Sequence, residues 1–324
     1  MVKVDVICVG AAIVDIPLYP VGAFIFENVS YPLDDISMTI GGDAINEATI
    51  ITRLGNKVSL MSAIGNDGPG MYIQDFAERN GIITDDLKVD DRLTTSLNIG
   101  MVREDGERTF VTNRNGSLWK MGLEHINLEN ISDAKILSLA SIFNNPLLDN
   151  ETLVTIFKKA KAENMIICAD MVKSRLGETL NDIAEALSYV DYFFPNYEEA
   201  AEITNEYDTD KIADTFLAMG VKNVIVKIGK EGCYIKNKEI AKIVPAFKKD
   251  PSVKIDTIGA GDNFASGFIA ELLNEKSFEE CAYFGNAVAA VSIESLGATA
   301  GVKSREQVER MIKKYKNKGG ESIE

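Results

Sequence analysis

A doubly wound α/β fold is what this sequence predicts, with a mostly parallel sheet flanked by helices and a small β-sheet lid as a subdomain. Three observations lead there. Short apolar runs of strand length alternate with amphipathic segments of helix length through most of the chain, the pattern of parallel strands joined by helical crossovers. Glycine-rich turns open two of the helices, at Gly41-Gly42 and at Gly259-Ala260-Gly261. Between these, Thr94 to Thr112 departs from the alternation. Two strand-like runs there are joined by Glu104-Asp105-Gly106-Glu107, a hairpin signal. Together with an extended stretch at 31–40, that insertion reads as a β-subdomain able to cover a site.

Taken in order, Val4 to Val9 is a β-rich run ending in Gly10, a buried first strand. Gly10 to Pro17 follows as a crevice loop in which Asp15 is a lone acid, either a turn residue or a group facing a ligand. Gly41-Gly42-Asp43 opens a helix whose apolar stripe is Ile45, Ala48, Ile51 and Leu54, closed by Gly55. A strand at 58–64, a turn at 65–70 and a helix to about Asn80 repeat the unit. After the hairpin come strand 135–139, helix 150–164, strand 165–169, helix 178–188 and strand 190–194. Pro195-Asn196 breaks into a helix bearing Glu198, Glu199 and Glu202. Helix 208–219, strand 223–228, a strand pair at 233–244, and helices at 263–274, 277–295 and 304–316 complete the chain. The expected organisation is one domain over 1–318, with lid insertions at about 16–40 and 92–114 and a frayed tail at 319–324.

Composition narrows the function. With 34 basic and 49 acidic residues the net charge is −15, which argues against nucleic acid or an anionic membrane as partner. No apolar stretch reaches the roughly 18 to 20 residues of a membrane span. The N-terminus reads as a strand interrupted by Asp5, without a signal-peptide cleavage site, so a cytoplasmic protein is expected. Cys8, Cys168, Cys233 and Cys281 are widely spaced among apolar neighbours, as core thiols would be. His125 is the one histidine. It leaves little room for a His-based metal site or hydrolase.

The segment Asp256-Thr257-Ile258-Gly259-Ala260-Gly261-Asp262 holds the chemistry. Small residues at a helix start let an anion approach unpaired backbone N–H groups at the positive end of the helix dipole. A carboxylate beside such a site repels the anion. Asp262 is therefore either a first-turn or capping aspartate, or a general base that takes a proton from a substrate hydroxyl while the N–H groups hold a transferring phosphoryl group.

These motifs resemble the ribokinase-like (pfkB) carbohydrate kinases over nearly the whole chain. The C-terminal signature is matched by Asp256-Thr257-x-Gly259-Ala260-Gly261-Asp262. The N-terminal one is matched by Gly41-Gly42-x-x-x-Asn46, continued by Leu54-Gly55 and Ile64-Gly65-x-Asp67-x-x-Gly70. The resemblance implies transfer of the γ-phosphoryl group of ATP to a hydroxymethyl-type alcohol, with Asp262 as base and the backbone of Gly259, Ala260 and Gly261 as anion hole. It also implies a sugar site at Asp15, Gly41, Gly42, Asp43 and Asn46. Asn196 and Glu199 match the element that orients Mg²⁺ through water, although Asn196 also suits a plain helix cap. Lys227, Gly229, Gly232 and Asn286 match the nucleotide site, and Asp256 with carbonyls between Ser292 and Gly301 matches a monovalent-cation (K⁺) site. Lys227 departs from the threonine or serine common at its position, and Phe143-Asn144-Asn145 lacks the carboxylate some sugar kinases carry there.

The expected substrate is a free sugar of the fructose, ribose or keto-deoxy sugar acid class. Arg108 would favour an anionic substituent if it faces the site, and otherwise is a solvated strand residue. A nucleoside, read by Phe110, Tyr31 and Phe24, is the alternative within the same fold. A non-catalytic sugar sensor is the rival from another class. A nicotinamide dehydrogenase lacks its glycine pattern after the first strand. The exposed face of the β-insertion predicts a homodimer through the lid.

Overall fold

The structure, a computed structural model, describes residues 3–105, 107–132, 134–248 and 255–317, without the side chain of Arg108. The expected tail at 319–324 and the hairpin residue Gly106 lie outside the described residues.

A nine-stranded sheet forms the body. Its parallel members are β1 (Val6–Val9), β4 (Val58–Gly65), β5 (Leu87–Asp90), β8 (Ile136–Ile142), β9 (Ile166–Met171), β10 (Tyr192–Phe193) and β11 (Asn223–Lys227). The antiparallel strands β12 (Gly232–Lys236) and β13 (Ala241–Pro245) extend one edge. The spatial order is β13-β12-β11-β10-β9-β8-β1-β4-β5. Every residue of β1, β4 and β8 is buried, because helices cover both faces of a parallel sheet. Side chains alternate across a strand, so β1 feeds two cores. Val6 and Cys8 join one; Ile7 and Val9 join the other.

Helices α1 (Asp43–Arg53), α2 (Gly68–Arg79), α8 (Ala260–Leu272), α9 (Phe278–Ser292) and α10 (Arg305–Asn317) contribute to the first core. Helices α4 (Asn150–Ala162), α5 (Ala184–Leu187), α6 (Tyr197–Thr204) and α7 (Thr209–Ala218) contribute to the second, and the short α3 (Ser117–Lys120) lies near the crevice. The chain leaves β1 towards β4 and β5 on one side, and leaves β8 towards β9, β10 and β11 on the other. That reversal opens a crevice beyond the C-terminal ends of β1 and β8, the usual ligand position in such sheets.

The lid is a separate four-stranded sheet in the order β3 (Thr39–Gly41), β2 (Ile13–Leu18), β6 (Leu97–Val102) and β7 (Arg108–Thr112). The expected hairpin is β6–β7, with Val102 opposite Arg108.

Four local expectations are corrected. Ile13–Leu18, read as part of a loop, is the central lid strand β2, because its backbone is bonded by β3 on one side and β6 on the other. The stretch 31–40 is extended only at its end, in β3. Residues 178–188 do not make one helix: Thr179 and Asp182 form a reciprocal cap on a 3-10 turn, Leu180–Ile183, before the one-turn α5. The edge strand β5 was missed, since Leu87-Lys88-Val89-Asp90 has too short an alternation to stand out. Cys8, Cys168, Cys233 and Cys281 are buried free thiols. No helix among the described residues is long and apolar enough to cross a membrane.

Candidate active site

Two helix N-termini meet at the crevice. The N-caps of α1 and α8 are glycines, Gly42 and Gly259, both with positive φ. At Gly259 the backbone is left-handed (φ 71°), and a Cβ there would lie 2.5 Å from that of Ala298, so no larger residue fits. The Ala260 N–H turns back to the Thr257 carbonyl at 3.2 Å. Those of Gly259 and Gly261 have no hydrogen-bond partner among the described residues. They are the donors an anion would meet.

Asp262 sits in the first turn of α8 without capping it. Its Oδ2 accepts a hydrogen bond of 2.8 Å from Asn46 Nδ2 on α1. Burial and the nearby Asp43 carboxylate push the Asp262 carboxyl up, Asn46 opposes this, Asp170 adds to it, and Lys227 opposes it. The balance lies at about 7. This differs from a carboxylate ionised far below neutrality. It puts the group where proton transfer is most sensitive to pH.

On the lid side, the Asp15 carboxylate lies against Gly41, where a Cβ would fall 2.1 Å from Oδ2. Glycine is required for that approach. Asp15 Oδ1 and Asn46 Oδ1 are buried acceptors without partners, the kind of atom that sugar hydroxyls satisfy. Asp43 behaves otherwise. Its Oδ1 accepts from the N–H groups of Ala11 (3.1 Å) and Ala44 (2.8 Å), and its Oδ2 accepts from Asn144 Nδ2 (2.6 Å), so it ties the ends of β1 and β8 to α1. Asn144 Oδ1 in turn accepts from Arg175 Nη2 at 2.6 Å. The guanidiniums of Arg175 and Arg114 lie 5.6 and 5.8 Å from the centre of the Trp119 ring, whose buried Nε1 has no acceptor.

On the opposite side of Gly261 a cleft of ≈ 750 Å³ is lined by Asn196, Lys227, Gly229, Gly232, Ala260, Gly261 and Asn286. The fold thus brings together residues spread over some ninety positions, with Tyr207, Ile243 and Ala289 beside them. Asn286 donates to the carbonyls of Val244 (3.0 Å) and Pro245 (3.3 Å), fixing α9 to β13. Asn196 caps α6, its Oδ1 accepting from Glu199 N–H at 2.8 Å. Burial and the neighbouring Asp170 push Glu199 up to about 7, with Lys227 opposing. Asp170, buried at the end of β9, forms an ion pair with Lys227 at the end of β11.

No cluster of three or more His, Cys, Asp or Glu among the described residues makes a metal cage. Glu199 beside Asp170 still fits a Mg²⁺ held mainly by water and phosphate, since a divalent cation offsets two crowded carboxylates. The oxygens expected at the monovalent-cation site each take a protein donor and keep further lone pairs. The Asp256 oxygens accept from the N–H groups of Ile258 (3.0 Å) and Gly297 (2.9 Å), and the carbonyls of Ser292, Ala298, Thr299 and Gly301 each accept a protein donor. The Arg108 side chain lies outside the described residues. His125 is buried, with Nδ1 accepting from Gly122 N–H at 3.1 Å and Nε2 facing Asp90 at 3.3 Å. It plays no part in the crevice.

Asp170, Arg175 and Trp119 escaped the sequence reading. Asp170 did leave a signal, as a charge ending the apolar run Ile166-Ile167-Cys168-Ala169. Arg175 left none, because its partner Asn144 is remote in sequence.

Three comparisons bear on this geometry. The model of the pfkB family carbohydrate kinases matches residues 3–305. A ribokinase of Haemophilus influenzae is 30% identical over 275 residues, covering 82% of this chain and 85% of that protein. A 2-dehydro-3-deoxygluconokinase of Bacillus subtilis is 27% identical, covering 86% of this chain and 88% of its own. Among solved structures, a ribokinase of Thermotoga maritima superposes with a TM-score of 0.81 at 29% identity, over 96% of this chain and 99% of the other.

Proposed function

This chain belongs to the pfkB family of carbohydrate kinases and is an ATP-dependent sugar kinase, and on that premise we propose that it phosphorylates a hydroxymethyl group of a small sugar acid, with Asp262 as general base. The observation that carries the catalytic part is the contact between Asn46 and Asp262 across the two helix N-termini, one residue from the unpaired Gly261 N–H. In this reading the two unpartnered acceptors, Asp15 Oδ1 and Asn46 Oδ1, orient the acceptor sugar through its hydroxyls. Asp262 receives the proton of the attacking hydroxyl. The Gly259 and Gly261 N–H groups hold the charge that spreads over the transferring phosphoryl oxygens. Bound near Glu199, Mg²⁺ would neutralise phosphate charge. Catalysis here is mostly positioning, so it depends on both halves of the crevice being held together.

A sugar acid, rather than fructose or ribose, is favoured by the donor-rich end of the crevice. Asp43 lies about one helical turn from Asn46 on α1 and binds Asn144, which binds Arg175, so the Asn144–Arg175–Trp119 group is joined to the same helix end that holds Asp262. Two guanidiniums and an unpartnered indole N–H suit a carboxylate there. The expected result of a substrate panel is a higher kcat/KM for a keto-deoxy sugar acid than for fructose, ribose or nucleosides. Arg175→Ala should lower that value by about tenfold or more for the acid while changing neutral sugars little. Equal losses for acid and neutral sugars, or a neutral sugar preferred by the intact protein, would sink the sugar-acid reading.

We also read the lid as the surface on which two copies pair. Between the lid strands β2 and β3, Phe24 (64% exposed), Phe26 (90%), Ile36 (62%) and Met38 (49%) are apolar side chains left uncovered. Light scattering at micromolar concentration is expected to give twice the chain mass. A strict monomer would count against this pairing.

A further inference from the structure

Lys227 and Asp170 come from the ends of β11 and β9, with β10 between them. The Lys227 Nζ donates to Asp170 Oδ2, and Asp170 Oδ1 accepts from Met171 N–H at 2.8 Å. Backbone contacts fix the strand end from which the lysine rises: Lys227 N–H donates to the Pro195 carbonyl at 2.9 Å, and Asn196 forms a β-bridge with Lys227. The side chain crosses to the other helix terminus. Its Nζ stands 3.0 Å from the position a Cβ on Gly261 would take. The ammonium therefore stands beside Gly261 at the wall of the cleft, next to the unpaired N–H rather than in its place. Lys227 is mostly buried, with 14% of its side chain exposed, and Asp170 more so, with 5%.

An ammonium in that position has a use that a structural ion pair does not. It is a compact point charge aimed at the oxygens of a phosphoryl group seated on Gly259 and Gly261, and it needs a counter-ion to remain buried while the site is empty. We propose that Lys227 is a phosphate ligand that stabilises the transferring group, and that Asp170 is its positioning residue, holding the ammonium over Gly261 and competing with phosphate for it. This rests on the kinase reading of the crevice and adds a division of labour. Asp170 weakens nucleotide binding in the ground state, where it shares the ammonium. It favours the transition state by keeping that ammonium in register, since a preorganised charge costs no reorganisation at the moment of transfer.

The two members of the pair should then respond in opposite senses. With a non-hydrolysable ATP analogue in titration calorimetry, Lys227→Met should weaken binding by about tenfold or more, and its kcat should fall on the order of 10²-fold. Asp170→Asn keeps the shape but frees the ammonium. It should bind the analogue at least as tightly as the unaltered protein, yet turn over more slowly. Lys227→Arg, which keeps the charge, should recover part of the binding. A purely structural pair predicts something else: both variants melt at lower temperature, with analogue affinity and kcat unchanged, and that result overturns the proposal. Weaker analogue binding in Asp170→Asn would also overturn the competition. If the unaltered protein binds the analogue but phosphorylates no sugar, the kinase reading fails, while the binding arm still decides the role of Lys227.

Discussion

Asp262→Asn is expected to lower kcat by on the order of 10²-fold or more, which corresponds to about 3 kcal/mol or more of lost transition-state stabilisation. The substitution is nearly isosteric. The Asn46 Nδ2 that donates to Asp262 Oδ2 at 2.8 Å can still donate to the carbonyl oxygen of an asparagine. The cap of α8 is untouched, because Gly259 and not Asp262 occupies the N-cap. What disappears is the proton acceptor and its negative charge. ATP affinity should therefore hold or improve slightly, as a repulsive carboxylate has left the edge of the anion hole. Steady-state kinetics with calorimetric ATP binding separates the two effects. Near-normal turnover in a folded Asp262→Asn protein would refute the general-base role.

Gly261→Val should be nearly as damaging by a different route. A Cβ at Gly261 meets only the far end of Lys227, at 3.0 Å, so the helix and its packing can accept the larger residue. The added branches fill the space before the unpaired N–H groups, where the phosphoryl group would sit. The expected outcome is an intact fold by circular dichroism with kcat/KM for ATP reduced by on the order of 10²-fold. Gly259→Val is the contrasting case, because its Cβ would run into Ala298 and its φ is left-handed. That variant should lose stability as well as activity. Unchanged ATP turnover in Gly261→Val would mean that no phosphate binds there.

The sequence revealed most of the fold, and half of the site, for identifiable reasons. Strands β1, β4 and β8 were legible because a strand covered on both faces is an uninterrupted apolar run. The lid hairpin was legible from its turn residues. Strand β5 and the 3-10 turn at Leu180–Ile183 were not, since edge position and capping decide them rather than periodicity. In the candidate site, Asp262 and the glycines stood out because a helix N-terminus open to an anion is built from small residues. The contacts that hold the carboxylate were not legible. The Asn46 donor lies 216 residues away in sequence, and the Lys227–Asp170 pair spans 57. Such contacts are made where helix starts and strand ends meet in the crevice, and neither partner's neighbours record them. Asp43 illustrates the same point. The resemblance put it in the sugar site, and what no neighbouring residue recorded is that its oxygens accept from Ala11, Ala44 and Asn144, which also makes it a tie between β1, β8 and α1.

On the proposed mechanism, a carboxyl held near neutrality by burial and by Asp43 accepts the proton of the substrate hydroxyl. The base must be ionised to act. Its pKa is raised to about 7, so activity is expected to be lost as pH falls through that value and to level off above it. The most direct measurement is kcat/KM for the sugar between about pH 6 and about pH 8, in the unaltered protein and in Asp43→Asn, which removes the largest neighbouring charge that raises Asp262. An acid limb near 7 is expected, moving to lower pH in Asp43→Asn and remaining in Glu199→Gln. A profile that is flat through 7 in the unaltered protein, or a limb that vanishes with Glu199 and ignores Asp43, would contradict the mechanism.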